Sequence, residues 1–180
     1  MSAQELRPVY LRGSRVYLRA MVEDDKERGA AWLDETFPVN ASRAEQTLKD
    51  EHQGPWWQRA RRRLAIARTE DDDVVGSAFV GSSNGYRTCW LDFQMAPWRE
   101  DADALRAEAL GLLVRWLRDE SELMVVTVHV AADQTETIAS AEALGMARSA
   151  RLRERFGRPG GRVDGLVYQA LNPRWEVRDA

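Results

Sequence analysis

The chain has 180 residues and a formal net charge of −3 at pH 7, with hydrophobic and charged fractions of 44% and 31%. These values are typical of a soluble globular protein and predict one domain over residues 1–180. So small a net charge gives no general electrostatic reason to expect nucleic acid or a membrane as partner. No N-terminal apolar segment or long apolar run is present, which favours a cytoplasmic protein.

The residue inventory argues against metal and disulfide chemistry. Cys89 is the only cysteine, and His52 and His129 lie far apart in the sequence. We therefore expect no metal site and a buried, inert thiol. The arginine run RARRR at residues 59–63 is typical of a solvated helix face, with an anion or partner site as the alternative.

The first half of the chain predicts strands and two helices. Residues 9–20 form a strand segment split at Gly13, and residues 23–35 form a helix. Ser42 and Glu45 have the spacing of a capping box for a helix over residues 43–52. A three-strand meander is predicted at the end of this half, over residues 63–68, 74–82 and 86–95.

The second half begins with an amphipathic helix over residues 104–119, whose apolar stripe includes Trp116. An apolar run over residues 123–130 is typical of a strand covered on both faces. A second helix over residues 134–144 precedes Gly145, which suits the position after a helix end. A terminal hairpin follows over residues 148–171.

Four patches in this order resemble the GNAT superfamily, specifically its RimJ/RimL-like branch of N-acetyltransferases. They cover the chain from about residue 9 to residue 175. The patches are LRGSRVYLR at residues 11–19, Val75-Gly76, Glu108-Ala109-Leu110 with Ala143-Leu144-Gly145-Met146, and the terminal set Gly161, Asp164, Tyr168, Leu171 and Trp175.

The resemblance implies an α/β (α+β) fold with a mixed, V-shaped sheet of six to seven strands and helices on both faces. It also implies direct transfer of an acetyl or related acyl group from acetyl-CoA to an amine in a ternary complex. The acceptor would be a small molecule or a peptide, and the protein a monomer or homodimer. In such a fold, the donor's pantetheine arm would lie along Phe93, Gln94 and Met95, where backbone N–H groups can hold the thioester oxygen.

The donor's phosphates would meet the start of the central helix, where the family pattern is Arg/Gln-x-x-Gly-x-Gly/Ala. This chain departs from the pattern at all three motif positions: Asp101, Ala104 and Arg106. Three acids in the segment would oppose an anionic donor, although they could equally cap the helix. The Arg106 guanidinium could itself bind phosphate. The candidate donor-binding residues near the two helices are Ala104, Leu105, Arg106 and Gln134.

Candidate catalytic residues are Asp92, as the base that takes the amine proton, with Glu35 as a second candidate for that role, and Thr137, near the departing thiolate. Asp92 could equally be an exposed residue on a half-solvated strand face. Gln134 could be a helix cap, and Thr137 a solvent-facing residue. Acceptor-binding candidates are Trp32, Glu35, Trp56, Trp57 and Trp90, and packing is the alternative for the tryptophans.

Two other functions fit the acidic segment at residues 100–106. One is a GNAT fold that has lost CoA binding and serves as a binding or regulatory module. The other is a transferase that takes its acyl group from a carrier protein, for which a nucleotide-phosphate site is less necessary.

Overall fold

A mixed sheet of eight strands organises the structure, a computed structural model that describes residues 9–33, 39–53, 61–83, 87–121 and 123–175. The strands are β1 (Val9–Arg12), β2 (Val16–Ala20), β3 (Arg61–Arg68), β4 (Val74–Ser83), β5 (Thr88–Met95), β6 (Val125–Ala131), β7 (Ala147–Arg158) and β8 (Gly161–Leu171). The α-helices are α1 (Gly29–Trp32), α2 (Ala41–Gln53), α3 (Ala102–Asp119) and α4 (Thr135–Ala143), with 3-10 turns at Glu23–Arg28 and Pro173–Trp175.

The strand order is β1-β2-β3-β4-β5-β6-β8-β7. The strands β1 to β5 form an antiparallel meander, β5 and β6 are parallel, and β6, β8 and β7 are again antiparallel. The mixed sheet is as predicted, but it has eight strands rather than six or seven. The extra strand is β1, which pairs with β2.

The sheet opens between β5 and β6. Their parallel ladder runs from the Thr88–Val125 pair to the Leu91–Val128 pair. Beyond it β5 continues to Met95 and β6 to Ala131, and neither continuation is paired with the other. The two strands therefore diverge at their carboxyl ends, where open α/β sheets form ligand crevices.

Helices cover both faces of the sheet. One core lies between the sheet and α3 and α4, and includes Leu110, Leu113, Val126 and Tyr168. A second core lies under the shorter helices on the opposite face, and its buried members are Met21, Trp32, Leu33, Ala44, Leu48, Ala65 and Val74. Strand alternation explains the division, because Ala65 faces one core and Ile66 the other.

Several local predictions are corrected by the structure. The second helix begins at Ala41 and is capped by Asn40, whose Oδ1 accepts the Arg43 N–H at 2.9 Å, so the capping box at Ser42 is wrong. Residues 61–63 of the arginine run lie in β3, not on a helix. Trp116 is 42% exposed, because the buried side of α3 is centred on Leu110 and Leu113.

A buried ion pair fixes the turn after β2. The Arg19 guanidinium donates two hydrogen bonds of 2.8 Å to the Asp25 carboxylate, and the side chains are 0% and 3% exposed. Asp25 also accepts the Val22 N–H at 2.8 Å, and its backbone oxygen accepts the Trp32 indole N–H at 2.8 Å. This network fastens the first helical segment to the sheet.

Replacing Asp25 with alanine should leave the buried Arg19 charge without its main counterion. We expect the free energy of unfolding to fall by about 3–5 kcal/mol, measured by urea denaturation. The exposed neighbour Glu27 provides the control, because Glu27→Ala should change stability by less than about 1 kcal/mol. A loss from Asp25→Ala no larger than the control's would contradict the proposed role of the pair.

Candidate active site

The divergence of β5 and β6 opens a cleft of about 1380 Å³. The end of β5, the start of α3, the segment before α4 and the end of the β7–β8 hairpin all contribute to its walls. Residues of α2, β3 and β4 extend it across the other face of the sheet. Both halves of the sheet therefore contribute to one cavity.

Backbone groups of β5 face this cleft. The Ala96 N–H bonds to the Val75 oxygen of β4 at 2.9 Å, so strand alternation turns the backbone groups of Phe93 and Met95 away from β4 and towards the gap. Asp92 Oδ1 accepts the Phe93 N–H at 2.9 Å. The Gln94 side-chain amide donates to the Met95 oxygen at 3.4 Å. The structure thus brings together Asp92, Phe93, Gln94 and Met95 along the wall of one cleft.

The start of α3 differs from its prediction. The helix begins at Ala102, two residues earlier than expected, so the first-turn amides of residues 102–104 are those without helical partners. The Leu105 N–H bonds to the Asp101 oxygen at 3.0 Å, and its side chain lies in the core at 2% exposure. Of the predicted donor-binding positions on α3, Ala104 has a backbone N–H without a helical partner, whereas the Leu105 N–H is already used within the helix.

Two of the three acids in this segment have local partners. Arg99 forms two 2.7 Å hydrogen bonds to Asp101, which lower the pKa of that carboxyl group. Asp103 accepts the Glu136 N–H at 2.8 Å and the Thr137 hydroxyl at 2.6 Å. Asp103 therefore caps α4 from a neighbouring helix, and Arg99 compensates the charge of Asp101.

Two arginines lie at this end of the cleft. Arg106 approaches Asp103 at 3.5 Å, and burial lowers its pKa from the ordinary arginine value. Arg158 forms hydrogen bonds of 2.7 and 3.0 Å with Asp133, which joins the β7–β8 hairpin to the segment before α4. No local sequence pattern predicts a role for Arg158 or Asp133, because their pairing depends on contacts between distant segments.

The segment after β6, including α4, contributes less directly to the cleft wall. Gln134 lines the cleft, and its Oε1 accepts the Ala131 N–H at 3.0 Å, so it caps the end of β6. Thr137 is 0% exposed and lies behind Asp103 rather than on the cleft wall. The interpretation of Thr137 as solvent-facing is wrong.

The tryptophan predictions have different outcomes. Trp32 is 0% exposed and packs in the second core, so its assignment to the acceptor wall is corrected. Trp90 is 40% exposed and lies against Gly81, where an added Cβ would come within 2.2 Å of the indole. Trp90 is not among the residues that line the cleft. Glu35, Trp56 and Trp57 lie outside the described residues.

Solved structures with the same architecture identify the family. A candidate acetyltransferase from Sphaerobacter thermophilus DSM 20745 is 50% identical over 92% of this chain and 99% of its own, with a TM-score of 0.74. The chain belongs to the GNAT family of acetyltransferases.

More distant GNAT relatives share the fold. An acetyltransferase of the GNAT family from Bacillus anthracis is 13% identical, with 90% and 98% of the two chains covered and a TM-score of 0.65. The spermidine/spermine N-acetyltransferase SpeG from Vibrio cholerae is 14% identical, with 89% and 95% covered and a TM-score of 0.67. No protein-family model and no curated protein sequence matches the chain.

Within the described ranges, no group of three or more histidine, cysteine or acidic side chains is placed to hold a metal ion. None of the helices in those ranges is long and apolar enough to cross a membrane.

Burial raises the pKa of the Cys89 thiol to about 12. The thiol therefore stays protonated at neutral pH. Because the thiolate is the nucleophile, Cys89 is poorly suited to carry an acyl group.

Alkylation provides a test of this burial. At pH 8 we expect Cys89 in the native GNAT protein to react with iodoacetamide at least about a hundredfold more slowly than in urea-unfolded protein, because thiolate and access are both restricted. Mass spectrometry of timed samples would measure the rates. Comparable rates in the native and unfolded states would show that the thiol is reactive.

Proposed function

We propose that this GNAT protein transfers an acetyl group from acetyl-CoA directly to a primary amine in a ternary complex. The observation that carries the proposal is the divergence of β5 and β6, which exposes strand backbone beside a carboxylate in a large cleft. The resemblance to the RimJ/RimL-like branch supports the same donor. Acetyl-CoA supplies the activated acyl group.

The cleft has groups that fit each part of such a donor. The gap-facing backbone of Phe93 and Met95 can pair with the amide-bearing pantetheine arm. First-turn amides of α3 and the Arg106 guanidinium can bind phosphate oxygens, since helix N-termini and arginine both favour anions. The Arg106 side chain would thus provide part of the phosphate binding that a glycine-rich backbone would otherwise provide.

The transfer itself needs a proton acceptor and a stabilised oxyanion. The neutral amine nitrogen attacks the thioester carbonyl carbon, and the amine proton passes to Asp92 directly or through water. The C–S bond then breaks and CoA leaves as its thiolate. The Phe93 N–H can stabilise the carbonyl oxygen as negative charge develops. Asp92 accepts this N–H in the structure, so donor binding would exchange that contact and release the carboxylate for proton transfer.

The Asp92→Asn variant tests the base. Its side-chain oxygen can still accept the Phe93 N–H, but the amide cannot take a proton. We expect kcat to fall by about 10²–10⁴ while the Kd for acetyl-CoA stays within about twofold. Steady-state kinetics and calorimetry would measure both quantities.

Glu120→Gln provides the control, because Glu120 is an exposed residue at the end of α3 and should leave kcat unchanged. Wild-type kcat in Asp92→Asn would exclude Asp92 as the base.

The Arg106→Met variant tests the donor site. For the wild-type protein we expect micromolar binding of acetyl-CoA, on the order of −8 kcal/mol, by calorimetry. The variant should bind acetyl-CoA about 10- to 100-fold more weakly, because a charge-assisted contact to phosphate is lost. Binding of S-acetyl-pantetheine, which lacks the phosphates, should change little.

Equal losses for the two donors would show that Arg106 acts on the fold rather than on phosphate. Wild-type protein that binds neither acetyl-CoA nor CoA at millimolar concentration would overturn the acetyl-CoA proposal. The remaining explanations would then be a carrier-tethered donor or a non-catalytic role.

A further inference from the structure

A large bulge interrupts the pairing of β7 with β8. The ladder on β7 skips from Leu152 to Phe156, so residues 153–155 all lie opposite the single residue Asp164. In the middle of this bulge Glu154 has a φ of +49°, a conformation that residues with a Cβ atom disfavour. Such a conformation persists only where the surrounding contacts fix it.

Polar side chains of β7 and β8 supply these contacts. Asp164 Oδ1 accepts the Glu154 N–H at 2.8 Å, and its Oδ2 accepts the Arg151 Nε–H at 2.5 Å. Arg162 Nε donates to the Glu154 backbone oxygen at 2.7 Å. The hydrogen bond from Glu154 and the contact with Arg151 lower the pKa of the Asp164 carboxyl group. Asp164 therefore fastens the strained residue to both strands of the hairpin.

Asp92 and Gly165 face the same side of the sheet. Leu91 of β5 and Leu166 of β8 lie in the core that packs against α3 and α4. Since successive residues of a strand face opposite sides, the adjacent residues Asp92 and Gly165 face away from that core. An amine that gives its proton to Asp92 would therefore approach from the face on which Gly165 lies.

Two residues at the end of the bulge cover Gly165 on that face. A Cβ atom added to Gly165 would lie 3.0 Å from Arg155 Cβ and Cγ and 3.1 Å from Phe156 Cε2, so the lack of a side chain makes room for both. Arg155 and Phe156 also line the cleft. The Arg158 guanidinium lies 6.0 Å from the Phe156 ring centroid and pairs with Asp133. The hairpin thus forms a wall of the cleft on the face from which the amine would approach.

We infer that Asp164 is a positioning residue for the amine acceptor. It fixes the bulge at residues 153–155, and the bulge places the Phe156 ring where it can contact the carbon chain of an amine at Asp92. Asp164 acts through the bulge, because it is not itself among the residues that line the cleft. The inference rests on the proposed acetyl transfer and assigns a wall of its acceptor site.

The Asp164→Ala variant tests the assignment, with hexylamine as the acceptor and saturating acetyl-CoA. We expect the KM for hexylamine to rise about 10- to 100-fold, because a displaced wall no longer contacts the amine. The kcat should stay within about threefold and the Kd for acetyl-CoA within about twofold, since Asp92 and the start of α3 are unchanged. Steady-state kinetics and calorimetry would measure these quantities.

A second substitution separates the bulge from a general loss of stability. Glycine adopts a positive φ without the steric cost of a side chain, so Asp164→Ala combined with Glu154→Gly should form the bulge without the carboxylate. We expect this double variant to recover a KM within about threefold of wild type. Asp119→Ala removes another exposed aspartate that is paired with an arginine and should retain the wild-type KM. A wild-type KM in Asp164→Ala, or a double variant no better than Asp164→Ala, would overturn the inference.

Hydrogen exchange tests the role of Asp164 in the bulge without any reaction. In Asp164→Ala, amides in peptides that cover residues 150–158 should exchange about tenfold faster than in the wild type, with the slower rate restored in the double variant. Mass spectrometry would measure the exchange. Unchanged exchange in Asp164→Ala would show that the carboxylate does not hold the bulge.

Failure of the acetyl transfer itself gives a different pattern of results. If the wild-type protein does not acetylate hexylamine, calorimetric binding of hexylamine to CoA-saturated protein decides the acceptor assignment. Binding that weakens at least about tenfold in Asp164→Ala and returns in the double variant would support the wall without the reaction. Absence of binding to the wild-type protein, or equal binding to Asp164→Ala, would overturn it.

Discussion

The arrangement of the cleft depends on a single constraint: backbone groups on either side of the β5–β6 gap must find partners other than each other. Buried N–H and C=O groups are rarely left without a hydrogen bond. On β5 the Asp92 carboxylate accepts the Phe93 N–H, and the Gln94 side-chain amide donates to the Met95 oxygen. On β6 the Gln134 side-chain oxygen accepts the Ala131 N–H. Each of these contacts is made by a side chain, so a ligand that brings its own amides can replace them without breaking the sheet.

The start of α3 shows how a GNAT cleft can be built without glycine in the segment before its central helix. Acidic side chains there do not simply add negative charge to the proposed donor site. Asp101 is held by Arg99, and Asp103 is directed towards the amide groups of α4. Arg106 lies 3.5 Å from Asp103, so the arginine and this acid partly offset each other's charge. The charge of a loop therefore cannot be judged from its composition alone.

Much of the fold follows from local patterns in the sequence, since alternation and helical periodicity predict the strands and the two main helices. Gly145, with φ at +72°, ends α4 as its position indicates. The errors arise where burial depends on distant packing. Trp32 becomes core through contacts with β3 and β4. Thr137 is buried where α4 packs against α3, and its hydroxyl donates to Asp103, 34 residues earlier. The alignment of Arg63, Phe79 and Asp92 on neighbouring strands depends on the register of three strands, which no local pattern defines.

The capping of α4 by Asp103 has a consequence for the order in which the chain folds. Helix α4 has nine residues, which is too short for an isolated helix to be stable in water. Its first amides are satisfied by a residue of α3, an 18-residue helix that can form much of its structure from local contacts. We therefore expect α3 to be in place before α4 becomes ordered. The end of the cleft proposed to bind the donor is then completed late, after both helices have docked on the sheet.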